Sequence, residues 1–262
     1  MIKAYCTDKG IKKATNQDAL LLKTAKLDGE EIAFAMVADG MGGMSKGELA
    51  SSIAIQEFRN WFVNEVGDLF EKGLTFDSFR NSVTKTTEKL HKKIKEELKE
   101  EAGGTTIVGL FIMQKTYIAF NVGDSRAYML EQGSDRVKQI THDHSLVQYL
   151  IDTNAITKEE ALHHKDRSVL MQCCGAGSEL PSPQFYMGSY NPETLFLVCS
   201  DGFVHVVKED EMAEMLSSNR VFSDDSLKKQ LEKIVEMSKE RQEKDNITVL
   251  GIKLEDDQWD LE

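Results

Sequence analysis

Apolar residues along this chain follow two kinds of spacing. Between Glu31 and Ala38 they run almost without a break, as Ile-Ala-Phe-Ala-Met-Val-Ala. Such a run fits a strand buried on both faces better than one stripe of a helix. Ala19–Lys26 precedes it across Leu27-Asp28-Gly29-Glu30, and the Asp-Gly step predicts a hairpin. Thr105–Met113, Thr116–Val122, Arg126–Leu130 and Arg136–Ile140 are β-rich and separated by short polar turns, which predicts a meander. Thr194–Cys199 and Asn246–Leu254 read as two further strands.

Helical spacing occupies the intervals. Ser45 and Glu48 have capping-box spacing, and Leu49, Ile53 and Phe58 then recur on one face. A second helix from about Asp77 gathers Phe79, Val83, Leu90, Ile94 and Leu98 on one side, with a stop signal at Gly103-Gly104. Residues 143–165 read as short polar helices, with a second capping box at Thr157 and Glu160. Helices are also expected over 208–217 and 225–240, the latter with Leu227, Leu231, Ile234 and Val235 on one face. Strands come in runs instead of alternating with helices. That predicts an α+β fold of antiparallel sheets flanked by helices. All three prolines lie between residues 181 and 192, and no repeat or low-complexity linker interrupts the chain. A single domain over 1–254, with an acidic tail at 255–262, is expected.

Composition changes this picture only at its edges. A net charge of −12 argues against nucleic acid and anionic membrane surfaces as partners. It suits a carrier of divalent cations, and equally a merely soluble acidic protein. No apolar run approaches the roughly 18 residues of a membrane span, and MIKAYCTDKG lacks the apolar stretch of a signal peptide. The four cysteines include the adjacent Cys173 and Cys174 and show no zinc spacing. A cytoplasmic monomer with reduced thiols is the expectation.

The candidate chemistry lies at strand ends. VADG (Asp39), NVGDS (Asp124) and LVCSDG (Asp201) each follow an apolar strand, KDNITV (Asp245) precedes one, and Asp18 opens another. One such Asp is ordinarily a turn residue. Several at one rim would repel each other and require cations, and hard oxygen ligands select Mg²⁺ or Mn²⁺. Glycine after Asp39 would let a backbone carbonyl come close enough to join them.

TNQDA, VADGMGG, GGTT at 103–106, NVGDSRAY at 121–128, THDHS at 141–145, CSDGF at 199–203 and DNITV at 245–249 occur in one order. In this the chain resembles the bacterial type 2C metal-dependent Ser/Thr protein phosphatases, from about residue 5 to residue 252. The resemblance implies an α-β-β-α sandwich of two antiparallel sheets between helix pairs. It implies that Asp39 bridges two Mn²⁺ or Mg²⁺ ions, that the Gly40 carbonyl binds the second, and that Asp201 and Asp245 bind the first. Asp18 falls at an indirect, water-mediated position, with Gln17 beside it. Asp124 falls where a third, weaker ion binds, with Gly123 and Ser125 keeping its surroundings small. A water bridging the two ions is then the nucleophile, attacking phosphorus in line without a phosphoenzyme. Substrates would be phosphoserine and phosphothreonine proteins, opposed by a cognate Ser/Thr kinase.

Three positions depart from the family pattern. Lys13 stands where arginine usually grips the substrate phosphate, and lysine cannot make a bidentate fork. Met41 replaces a histidine found in eukaryotic members, so it cannot donate a proton. Gln17 replaces glutamate. His144, His163 and His164 are left outside the catalytic set. Residues 143–180 correspond to the flap beside the family's active site, where Cys173 and Cys174 are expected to be small buried residues.

Other chemistries fit less well. No cysteine begins a C-x₅-R motif, and no D-x-D strand end suggests an aspartyl-phosphate enzyme. His142-Asp143-His144 resembles a metal cluster only superficially. Two alternatives of the same fold remain open at this point, a non-catalytic phosphoprotein-binding module and a phosphatase of small phosphoesters.

Overall fold

The computed structural model describes residues 1–27, 29–43, 46–99, 101–113 and 115–255. Strand β1 (Ile2–Asp8) is followed by the hairpin β2 (Asp18–Leu27) and β3 (Glu30–Gly42). Helices α1 (Lys46–Asn64), α2 (Val66–Glu71) and α3 (Phe76–Glu97) come next. Then come β4 (Gly103–Thr105), β5 (Ile107–Met113), β6 (Thr116–Val122), β7 (Arg126–Leu130) and β8 (Lys138–Gln139). Two short helices, α4 (Leu146–Asp152) and α5 (Lys158–Leu162), lead to β9 (Gln184–Ser189) and β10 (Leu195–Cys199). After a 3-10 turn at Asp201–Phe203 come α6 (Glu209–Met215), α7 (Asp224–Glu240) and β11 (Ile247–Lys253).

Two antiparallel sheets result. One has the order β1-β11-β10-β7-β8; the other has β2-β3-β5-β6-β9, with β4 paired to the end of β3. The apolar run of β3 is buried on both sides because it has two cores to serve. Ala33, Ala35 and Val37 meet Ala127, Phe196, Val198 and Leu250 of the facing sheet. Ile32, Phe34, Met36 and Ala38 face α1–α3, where Phe34 packs against Trp61, Phe62 and Phe120. On the outer side of the other sheet, Leu227, Leu231, Ile234 and Val235 of α7 join Met212 of α6 in a third core. The α-β-β-α sandwich is therefore built as expected, from period-2 strands between amphipathic helices. Among the described residues no helix is long and apolar enough to cross a membrane.

Several boundaries differ from the reading above. The strand does not end on Asp39: β3 continues through Gly42, pairing Gly40, Met41 and Gly42 with Thr105, Gly104 and Gly103. Glycines at 103 and 104 are thus strand partners, and α3 stops earlier, at Glu97. Leu49 lies on the solvent side of α1, 41% exposed, whereas Ile53 and Phe58 are buried. The strand expected over Arg136–Ile140 shrinks to two residues. β1 and β9 were not anticipated. β1 is an edge strand with Ile2 and Ala4 buried, and β9 is the edge strand of the other sheet, with none of its residues fully buried. Ser45 of the first capping box, Asp28 of the hairpin turn and the tail beyond Glu255 lie outside the described residues. The Thr157–Glu160 capping box forms as read.

Candidate active site

Five aspartates reach one rim: Asp18 opens β2, Asp39 lies opposite it near the end of β3, and the other three sit in the turns beside β6, β10 and β11. Asp18 and Asp39 are directly opposite in the β2–β3 register. Asp124 follows β6 on a turn where Gly123 has φ +105°, and a side chain at Gly123 would strike Thr106. Asp201 follows β10 and Asp245 precedes β11. Lys13, Gln17, Asp39, Gly40, Asp124, Asp201 and Asp245 line one cavity of about 210 Å³, closed by Met41, Thr106, Ser168 and Leu170. Asp18 lies behind that wall, where the Ser200 hydroxyl donates to its Oδ2 at 2.8 Å.

The backbone around these carboxylates is tied down. The Asp39 N–H donates to Thr106 Oγ1, and its carbonyl accepts from the Thr106 N–H and the Thr105 hydroxyl. Thr106 Oγ1 is in turn 2.7 Å from Ser125 Oγ in a buried contact. Asn246 gathers three segments: its Oδ1 accepts from the Gln17 N–H, and its Nδ2 donates to the carbonyls of Lys9 and Thr15. Gly40 is packed directly on α1, and a Cβ there would overlap the Gly47 carbonyl. Its lack of a side chain therefore serves packing as well as any approach of its own carbonyl.

Electrostatics set this rim apart from ordinary turns. Burial, then Asp201 and Asp245, push the Asp18 carboxyl up to about 7. Burial, then Asp18 and Asp201, push Asp39 well above the carboxylate range. Burial and Asp201 push Asp124 up to about 8. Asp201 is the exception. Burial raises it, but His205, with Asp39 and Arg126, outweighs that and holds it at about 2. Lys13 meets this charge with its ammonium 2.7 Å from Asp245 Oδ1.

This donor set fits hard divalent cations. Asp18 Oδ1 and Asp201 Oδ1 are buried with no hydrogen-bond partner, and the carboxylates of Asp39, Asp124, Asp201 and Asp245 share the cavity. Among the described residues no three His, Cys, Asp or Glu side chains close a cage by themselves. An open rim suits ions that keep several waters, as Mg²⁺ does. A stability prediction follows. The raised carboxyls at Asp18, Asp39 and Asp124 bind protons more tightly folded than unfolded, so stability falls as pH rises through their folded values. The melting temperature of metal-stripped protein should fall between pH 5 and 8, and Mn²⁺ at pH 8 should restore it. Differential scanning calorimetry checks both.

The histidines left outside the catalytic set stay outside the cavity. His144 accepts from the Gly123 N–H, at 3.3 Å, and His142 pairs with Asp152. Asp143 instead pairs with Arg126, so the 142–144 run makes no cluster. Cys174 is buried in the core and Cys173 half-buried, and burial raises both thiols. The sequence reading missed His205 and Glu243. His205 Nε2 lies 3.1 Å from Asp201 Oδ2 and Nδ1 lies 3.3 Å from Glu243 Oε2. The available signal was spacing: a histidine four residues after Asp201, where the 3-10 turn folds back on it.

Comparison with known proteins accounts for the arrangement. A model of the protein phosphatase 2C family matches residues 9–247. The chain belongs to that family. The serine/threonine phosphatase stp of Listeria innocua is 34% identical over 193 residues, covering 72% of this chain and 73% of that protein. Among solved structures, serine/threonine phosphatase Stp1 from Staphylococcus aureus matches with a TM-score of 0.81 at 27% identity, over 97% of this chain and 96% of that one. The catalytic domain of the phosphatase PstP, solved in complex with two manganese ions, matches with a TM-score of 0.75 at 25% identity, over 97% and 98% of the two chains. The stretch matched by the protein phosphatase 2C model contains all five aspartates of the rim.

Proposed function

We propose that this chain is a Mn²⁺- or Mg²⁺-dependent phosphatase of phosphoserine and phosphothreonine proteins. The observation that carries the reading is the gathering of Asp39, Asp201, Asp245 and Asp124 around one cavity that also holds Lys13. Asp39, Asp201, Asp245 and the Gly40 carbonyl would hold two ions, with Asp39 shared. Asp124 would hold a weaker third, and Asp18 and Gln17 would act from behind. When bound, such ions supply Lewis-acid activation of water and neutralise charge on phosphoryl oxygens.

The side chains do the rest. Lys13, now paired with Asp245, lines the same cavity, and with a cation held at Asp245 its ammonium would be available to a phosphoryl group. There it offers a point charge without a bidentate fork. Met41 on the wall holds no proton, and among the described residues no histidine lines the cavity. With no histidine there, the proton for the leaving seryl or threonyl oxygen would come from a water in the cleft. Ser168 and Leu170 bring the 143–180 segment to the cavity wall, where it would meet a bound phosphopeptide.

Lys13→Ala should raise KM for a phosphopeptide roughly tenfold, the worth of one charge-assisted contact, with kcat changed less. Lys13→Arg should restore it. An unchanged KM in steady-state assays would remove Lys13 from the phosphate site. A cytoplasmic monomer opposing a Ser/Thr kinase completes the proposal, supported by four free cysteines and an acidic surface charge. The test of substrate class compares kcat/KM on a phosphothreonine peptide with that on p-nitrophenyl phosphate under Mn²⁺. Preference for the peptide supports a protein phosphatase; turnover of the small ester alone overturns it.

A further inference from the structure

The Asp201 and Asp245 turns are joined by a bridge that the family motifs do not contain. His205 follows the 3-10 turn and returns its ring to the turn's first residue, with Nε2 3.1 Å from Asp201 Oδ2. Its other nitrogen, Nδ1, faces Glu243 Oε2 at 3.3 Å. Glu243 is 3% exposed. Its second oxygen, Oε1, accepts from the N–H groups of Lys244 and Asp245, at 2.7 and 2.9 Å. A run of close contacts therefore leads from the Asp201 carboxylate past the imidazole to Glu243 and the backbone of Lys244 and Asp245; on the Glu243 side the imidazole is held at ion-pair distance, since its Nδ1 makes no hydrogen bond of good geometry. Asp201 uses Oδ2 in this path, which leaves Oδ1 buried and without a partner. A carboxylate held by one oxygen while the other is kept free is the arrangement of a ligand fixed from outside its metal site.

We infer that His205, held by Glu243, is a positioning residue that fixes Asp201 and Asp245 relative to each other for one divalent cation. The inference rests on the metal-dependent reading above and adds that this chain sets its cation affinity through two residues that need not touch the ion. Without the imidazole, the Asp201 side chain is free to rotate. Without Glu243, the imidazole loses its second charged neighbour, and the backbone N–H groups of Lys244 and Asp245 each lose a hydrogen bond. Partners of this kind, removed from known metal sites, cost about 10–100-fold in metal affinity.

The test is isothermal titration of Mn²⁺ into metal-stripped full-length protein, with the melting temperature of each metal-free variant measured alongside. His205→Ala should raise the Mn²⁺ dissociation constant about 10–100-fold. His205→Gln, whose amide can still donate to Asp201, should recover most of that loss. Glu243→Gln should weaken binding by a smaller factor while preserving side-chain shape. A lowered melting temperature with a wild-type dissociation constant in His205→Ala would make the bridge merely structural and overturn the inference. If His205→Ala does not fold, Glu243→Gln decides: a wild-type dissociation constant there overturns it equally. Failure of the wild-type protein to bind Mn²⁺ at all would instead remove the metal-dependent reading on which the bridge depends.

Discussion

Asp39→Asn is expected to lower phosphopeptide turnover by roughly three orders of magnitude and, at the same time, to raise the melting temperature of the metal-free protein near pH 8. Both effects have one cause. Asp39 is buried opposite Asp18 and close to Asp201, Asp124 and Asp245, each of which raises its carboxyl pKa. Like charges directly opposite across two strands destabilise the pair. Folding nevertheless places them together, which is the signature of a site kept for function at a cost in stability. Asparagine removes one charge from the cluster and keeps the shape, so the metal-free fold relaxes. It also removes the carboxylate proposed to be shared between two ions, and loss of one member of a unit that acts together removes most of the unit's effect. Activity assays and calorimetry on the same preparation check the pair of outcomes. Lost activity with unchanged metal-free stability would mean that the rim is not electrostatically strained.

Gly40→Ala is the second large effect, and it acts through packing. A Cβ at this position would overlap the Gly47 carbonyl of α1 and come within 2.6 Å of the Gln17 carbonyl oxygen. These are backbone atoms, held by the Gly40 N–H bond to Gln17 and by Ser51 Oγ donating to the same carbonyl. They cannot step aside as a flexible side chain would. The helix must shift away from the strand, at an expected loss of more than about 4 kcal/mol, in the range reserved for severe overpacking. Urea unfolding should show a large drop in midpoint, and Mn²⁺ should restore less than it restores to the wild type. By contrast, Gly43→Ala has open space around it and should be silent.

The sequence made much of this legible, for physical reasons that can be located. Uninterrupted apolar strands and 3.6-residue stripes announced the layers, because each layer buries a face of fixed period. The strand-end aspartates were visible as separate turns, but only the register brings Asp18 opposite Asp39, and only the two-sheet rim brings Asp201 beside both. Glycines misled twice. Gly103-Gly104 read as a helix stop and the apolar strand read as ending at Asp39, yet Gly40–Gly42 and Gly103–Thr105 pair as strands, since two glycine-rich segments can approach closely where side chains would not fit. Leu49 misled for the usual reason that one apolar residue on a helix need not face the core. His205 was marked only by its spacing from Asp201, and nothing in the sequence tied it to the distant Glu243; only the fold joins the two.

The central claim is that the rim works as a divalent cation site for phosphate ester hydrolysis. Its most direct test is phosphate release from a phosphothreonine peptide while metal-stripped protein is titrated with Mn²⁺. Release is expected to rise from background to a plateau, and to return to background on adding chelator. Release that is already maximal in the stripped protein, and indifferent to chelator, would contradict the account.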